Sequence, residues 1–150
     1  NSEEKLPDEF YKNDEYLGWS PYNQSDKKQN KTSTNLNKII SRDSDFQEDF
    51  KKADDALNIR DCKKALSGFK KLGEKDVPHA QFKLGYMYAT GTCAIQDLAR
   101  GYMWFALSSS NGLDFAQHNL SITRQLMSKE ELAKAKELTK TCTRKYFKKC

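Results

Sequence analysis

The residues that could do chemistry are few: two histidines, His79 and His118, and four cysteines, Cys62, Cys93, Cys142 and Cys150. A catalytic imidazole needs a nucleophile or proton donor beside it and a group that orients it. Each histidine here stands alone in a helical stretch and is expected near the surface. The chain contains no G-x-S-x-G, H-E-x-x-H, phosphate-binding loop or G-x-G-x-x-G. The cysteines form neither C-x-x-C pairs for zinc or redox exchange nor a haem-attachment motif. No metal and no cofactor are expected, and the chain is expected to be no enzyme.

An even set of cysteines in a small chain points instead to disulfides and an oxidising compartment. Asn1 stands where a translation start would have Met, which reads as a trimmed start or a removed signal peptide. The expectation is a periplasmic or otherwise exported protein; the alternative is a cytoplasmic chain with free thiols. Cys62 opens one helix and Cys93 follows the end of its antiparallel successor, so the two lie at the same end of the stack. Their bridge would close a loop of about thirty residues. On a continuous helix Cys142 and Cys150 would be about 12 Å apart, too far to bridge. They can pair only if the helix ends near Arg144–Lys145 and the tail turns back.

Two unequal parts position these residues. Residues 1–43 form an N-terminal arm and linker. Asn1–Tyr22 carries six acids and five aromatic residues, punctuated by Pro7, Gly18 and Pro21, with no sustained helical period. Residues 23–37 are a polar run of linker composition. An arm this rich in aromatics reads as one that anchors on a partner or on the body of its own chain, with a floppy terminus as the bland alternative.

Residues 44–150 read as helical throughout. Phe46, Phe50, Ala53 and Leu57 mark one helical face. Asp61 caps a helix that Gly73 ends, and Pro78 opens one that Gly91 stops. Asp97 caps a third that runs to Asn111-Gly112, and Asp114 opens the next. Ser128 with Glu131 forms a capping box before the last. Six helices on short connections imply antiparallel hairpins.

The body also repeats. At an offset of 36 residues, Asp61 falls on Asp97, Phe69 on Phe105, Ala80 on Ala116, Gln81 on Gln117 and Leu84 on Leu120, as in stacked helical repeats. Within this unit, Ala80–Asp97 (AQFKLGYMYATGTCAIQD) resembles the Sel-one-like repeat family, a tetratricopeptide-like group. Ala80, Leu84, Gly85, Tyr88, Gly91 and Asp97 match its pattern, while Cys93 stands where its second Gly is usual. The likeness spans about residues 46–142, and residues 1–43 match no family. It implies an all-α fold, a right-handed solenoid of about three antiparallel hairpins preceded by the extended arm. It also implies an adaptor role in signalling or secretion, or a periplasmic or secreted factor.

The expected function is therefore a non-catalytic protein–protein interaction scaffold, an exported adaptor or accessory subunit of a larger envelope complex. Partner-binding residues are expected at Tyr16, Trp19 and Tyr22 of the arm. On the body they are expected at Phe82, Lys83, Tyr86, His118, Asn119 and Ile122, the helix positions left over once the core is assigned. The partner is another protein, with no nucleic acid expected. No apolar run is long enough to span a membrane. One alternative is a hydrolase of cell-wall fragments, as suggested for cysteine-rich relatives of the repeat. The other is binding of anionic lipid or nucleic acid through the basic tail Lys140–Cys150, with contact at a membrane surface. That tail reads more simply as a solvated last helix whose cations suit its C-terminal dipole.

Overall fold

The computed structural model describes residues 6–13, 46–144 and 150. Among these residues six α-helices follow one another: α1 (Gln47–Asn58), α2 (Cys62–Gly73), α3 (Pro78–Thr90), α4 (Leu98–Ser110), α5 (Ala116–Gln125) and α6 (Lys129–Arg144). The fold is all-helical, with no strand among the described residues. The arm contributes a turn of 3-10 helix, Asp8–Asn13, where an extended segment was expected. Pro7 presets the backbone, its carbonyl accepts the Phe10 N–H at 2.9 Å, and Asp8 and Glu9 place negative charge in the first turn.

Local chemistry sets most of the boundaries. The Asp61 carboxylate accepts the Lys64 N–H at 3.3 Å, and Asp97 accepts the Arg100 N–H at 3.0 Å. Pro78 occupies the first turn of α3, and Gly91 ends that helix in the left-handed region at φ 73°. Ser128 and Glu131 cap α6 reciprocally, side chain to backbone N–H, at 2.7 and 3.1 Å. Asp114 departs from expectation, since α5 starts at Ala116. The chain enters α5 through tight turns in which the Asp114 main-chain carbonyl accepts the Gln117 N–H at 3.1 Å. Phe115, at the cap position, is already in helical conformation, so an extended capping residue has no place there.

Neighbouring helices pack in sequence, α1 on α2, α2 on α3 and α3 on α4, while α4 also carries both α5 and α6. One core cluster gathers Phe50, Phe69, Leu72, Leu84, Met103 and Trp104 between α1 and α4. A second joins Phe82, Phe105, Leu113 and Ile122 to the arm. The α3–α4 contact is close because Gly85 lies under the Phe105 ring; a Cβ there would sit 2.6 Å from the ring.

The offset of 36 has geometric counterparts. Asp61 and Asp97 cap equivalent helices on equivalent N–H groups. The Gln81 side-chain amide donates to the Gly73 carbonyl at 2.9 Å, and Gln117 accepts from Ser109 at 3.1 Å, so each glutamine reaches back eight residues.

Both disulfides are formed, Cys62–Cys93 and Cys142–Cys150. Cys93 adopts φ 58°, a left-handed conformation that favours Gly. The described part of α6 runs to Arg144, and Cys150 is bonded to Cys142.

Two outcomes follow from this packing. Gly85→Ala is expected to lower unfolding free energy by about 1–2 kcal/mol in a denaturant titration, because overpacking on a buried ring outweighs the helix-propensity gain. Removing the Cys62–Cys93 bridge by a double Cys→Ala substitution should cost about 3–4 kcal/mol. Alkylation of the denatured, unreduced chain should label none of the four cysteines.

Candidate docking groove

Helix α3 carries polar side chains into the interior, and their partners define the ground on which a site can be built. His79 is fully buried, which corrects the expectation of a surface position. Its ring packs edge-on to Phe50 of α1 (5.7 Å between centroids) and against Phe115 at the start of α5 (5.8 Å). The available signal was the repeat offset of 36, at which position 79 falls on the aromatic Phe115. Burial, reinforced by the nearby Lys83 charge, pushes the imidazole pKa down to about 3, so the ring is neutral at physiological pH.

Four residues along, Lys83 is only 2% exposed, and its ammonium pairs with Asp54 of α1 at 3.0 Å. Burial lowers the Lys83 pKa while the Asp54 carboxylate opposes the shift. The pair ties α1 to α3 through the interior. Lys83 is thus a structural link, not a freely presented cation.

Beyond this pair, α3, α4 and α5 frame a groove that holds the arm. Phe10, fully buried, stacks on Tyr86 (6.0 Å, 26° between planes) and meets Phe105 edge-on (5.9 Å). Leu6, 2% exposed, joins Phe10, Phe82 and Ile122 in the same cluster. Two side chains of α5 read the main chain of the arm. Asn119 donates from Nδ2 to the Phe10 carbonyl at 3.1 Å, in a buried bond. His118 Nε2 lies 2.9 Å from the Glu9 carbonyl oxygen. A carbonyl can only accept, so Nε2 carries the proton. Asp8 and Glu9 point outward.

The residues expected to bind a partner are therefore distributed unevenly. Phe82, Tyr86, His118, Asn119 and Ile122 converge on this groove. Phe82, Asn119 and Ile122 are buried, and not positions left over from the core. Lys83 belongs to the α1–α3 ion pair, and Tyr16, Trp19 and Tyr22 lie outside the described residues. The sequence reading missed the pairing of Leu6 with Phe10 as anchors. Their spacing of four, across Pro7-Asp8-Glu9, was the available signal.

The two anchors contribute roughly 1.5–3 kcal/mol each on burial. The conformational entropy lost on ordering the segment opposes this gain. Elsewhere, a concavity of about 580 Å³ between α1 and α2 is floored by Ala53, Ala56 and Gly68 and rimmed by Asp49, Lys52 and Lys71. Among the described residues, no group of three His, Cys, Asp or Glu side chains is placed to hold a metal ion. No protein-family model, curated protein or solved structure matches the chain.

The buried imidazole sets a pH dependence. Its folded pKa lies below that of the unfolded chain, so the unfolded state takes up the proton first as pH falls. Stability at this position is full above about pH 6.5 and is lost progressively toward pH 3. Comparing denaturant midpoints of the natural chain and His79→Phe across that range isolates the effect. The natural chain should lose of the order of 3–5 kcal/mol more than the variant.

Proposed function

We propose that this chain is a non-catalytic protein-interaction scaffold, an exported adaptor or accessory subunit of a larger envelope complex. The observation that carries this reading is the groove of α3, α4 and α5. It holds a short chain segment by two apolar anchors and by side-chain bonds to consecutive main-chain carbonyls. Such contacts suit recognition of a polypeptide, whose carbonyls are always present, and do nothing to activate a scissile bond.

The body is proposed to be a short right-handed solenoid of about three helical hairpins of the Sel-one-like kind. The recurring Asp caps, the glutamines that reach back eight residues and the left-handed Cys93 at a glycine position all support that reading. In such stacks binding surfaces run across successive helices. The two disulfides support an oxidising, exported setting. His79 packs against two aromatic rings and His118 is bonded to a main-chain carbonyl, surroundings that support a non-catalytic reading.

The arm supplies the second half of the proposal. Docking of Leu6–Tyr11 places the described part of the arm in the groove. Trp19 lies six residues beyond Asn13, within about 20 Å of it even when fully extended. Tyr16, Trp19 and Tyr22 are proposed as the aromatic anchors for a neighbouring subunit.

A photo-crosslinking amino acid at position 19 of the full chain tests this in the cells that make it. The expected result is a discrete adduct with one other polypeptide, in a fraction that behaves as exported. That adduct should be lost, with the chain still folded, when Tyr16 and Tyr22 are changed to Ala. Retention of the adduct in that variant, or no adduct at all, would contradict the proposal.

A further inference from the structure

We propose that the groove is an exchangeable docking site, with the chain's own arm as resident occupant. Its exchange occupant is a partner segment bearing Leu and Phe four residues apart on one tight turn. This rests on the scaffold reading and deepens it by naming what the groove recognises.

The seated arm shows the recognition chemistry. Leu6 and Phe10 enter the groove, and Asp8 and Glu9 between them face solvent. The His118 and Asn119 bonds go to main-chain carbonyls, which every sequence offers. What the groove reads is therefore the Leu-x-x-x-Phe spacing, the turn that creates it, and two consecutive free carbonyls. Stacking on Tyr86 and the edge contact with Phe105 demand an aromatic ring at the second anchor.

The tether makes the occupancy conditional. Thirty-two residues, 14–45, separate the docked turn from Phe46. Fully extended they reach on the order of 100 Å, far beyond the dimensions of a body of this size. A connection of that length permits the arm to leave and re-enter the groove as an intramolecular ligand, at an effective concentration set by its length.

The same arithmetic decides between occupants. The arm of a second copy has the same intrinsic affinity as the resident arm but is present at far lower concentration, so it always loses. A foreign segment displaces the arm only if it binds more tightly, and the resident arm weakens the apparent affinity of every competitor. The arm then acts as a threshold that weakly matched segments do not pass.

The test uses full-length chains and a fluorescent peptide of residues 1–13, read by polarisation. The Leu6→Ala/Phe10→Ala chain, its own arm released, should bind this peptide at least tenfold more tightly than the natural chain. A peptide with Phe10→Ala should bind at least tenfold more weakly, and His118→Ala added to the released chain should weaken binding further. Circular dichroism checks folding, and the single Phe10→Ala chain takes the place of the double variant if that one does not fold.

Failure of the peptide to bind any released chain would overturn the proposal, as would equal binding to the natural and released chains. So would equal binding of the Phe10→Ala peptide. Concentration-dependent dimers of the natural chain that exchange labelled arms would make a second copy the occupant, which also overturns it. None of these outcomes touches Tyr16, Trp19 or Tyr22, so the scaffold reading stands or falls separately on the cross-link at position 19.

Discussion

Enclosure of α3 is the constraint on which the rest of the structure depends. Eleven of its thirteen residues are buried, and they include His79, Gln81 and Lys83. A helix buried on nearly every side must be covered by neighbours, and each polar group in it must be matched or neutralised. Gln81 is matched by the Gly73 carbonyl of α2 and by Asn111 at the end of α4. Lys83 is matched by Asp54 of α1, and His79 sheds its charge between two aromatic rings. Satisfying α3 thus draws in α1, α2, α4 and the start of α5. The buried pair adds little net stability, since desolvation offsets its attraction, but losing one partner would strand a charge in the core.

The same enclosure explains the groove. The side of α3 that bears Phe82 and Tyr86 is not covered by a helix alone; Leu6 and Phe10 of the arm complete it. An apolar surface of that kind attracts a covering segment, and the nearest one in effective concentration is the chain's own terminus. Asn119 and His118 then fix the segment's direction through its carbonyls. Architecture and recognition share residues here: Phe105 packs on Gly85, on Phe82 and on the arm.

Much of the helical body could be read from residue types, because its boundaries rest on local chemistry. Asp61, Pro78, Gly91, Asp97 and the Ser128–Glu131 pair each act within a few residues of themselves. The disulfide partners followed from helix order, which places Cys62 and Cys93 at one end. What could not be read depended on distant contacts. His79 is polar by type, and only its register with Phe115 pointed inward. Asp114 has the chemistry of a cap, yet a tight turn uses its carbonyl instead. The seat of the arm depends on residues more than a hundred positions away, Glu9 with His118 and Phe10 with Asn119, and no local pattern encodes such a meeting.

The groove of α3, α4 and α5 holds a polypeptide turn by an aromatic anchor and main-chain bonds. The most direct measurement is a nuclear Overhauser spectrum of the full-length chain, assigned at Phe10, Tyr86 and Phe105. Cross-peaks from the Phe10 ring to both other rings, and slowed amide exchange at Phe10, are expected. Their absence, with residues 6–11 exchanging at the rate of an unstructured peptide, would contradict this docking.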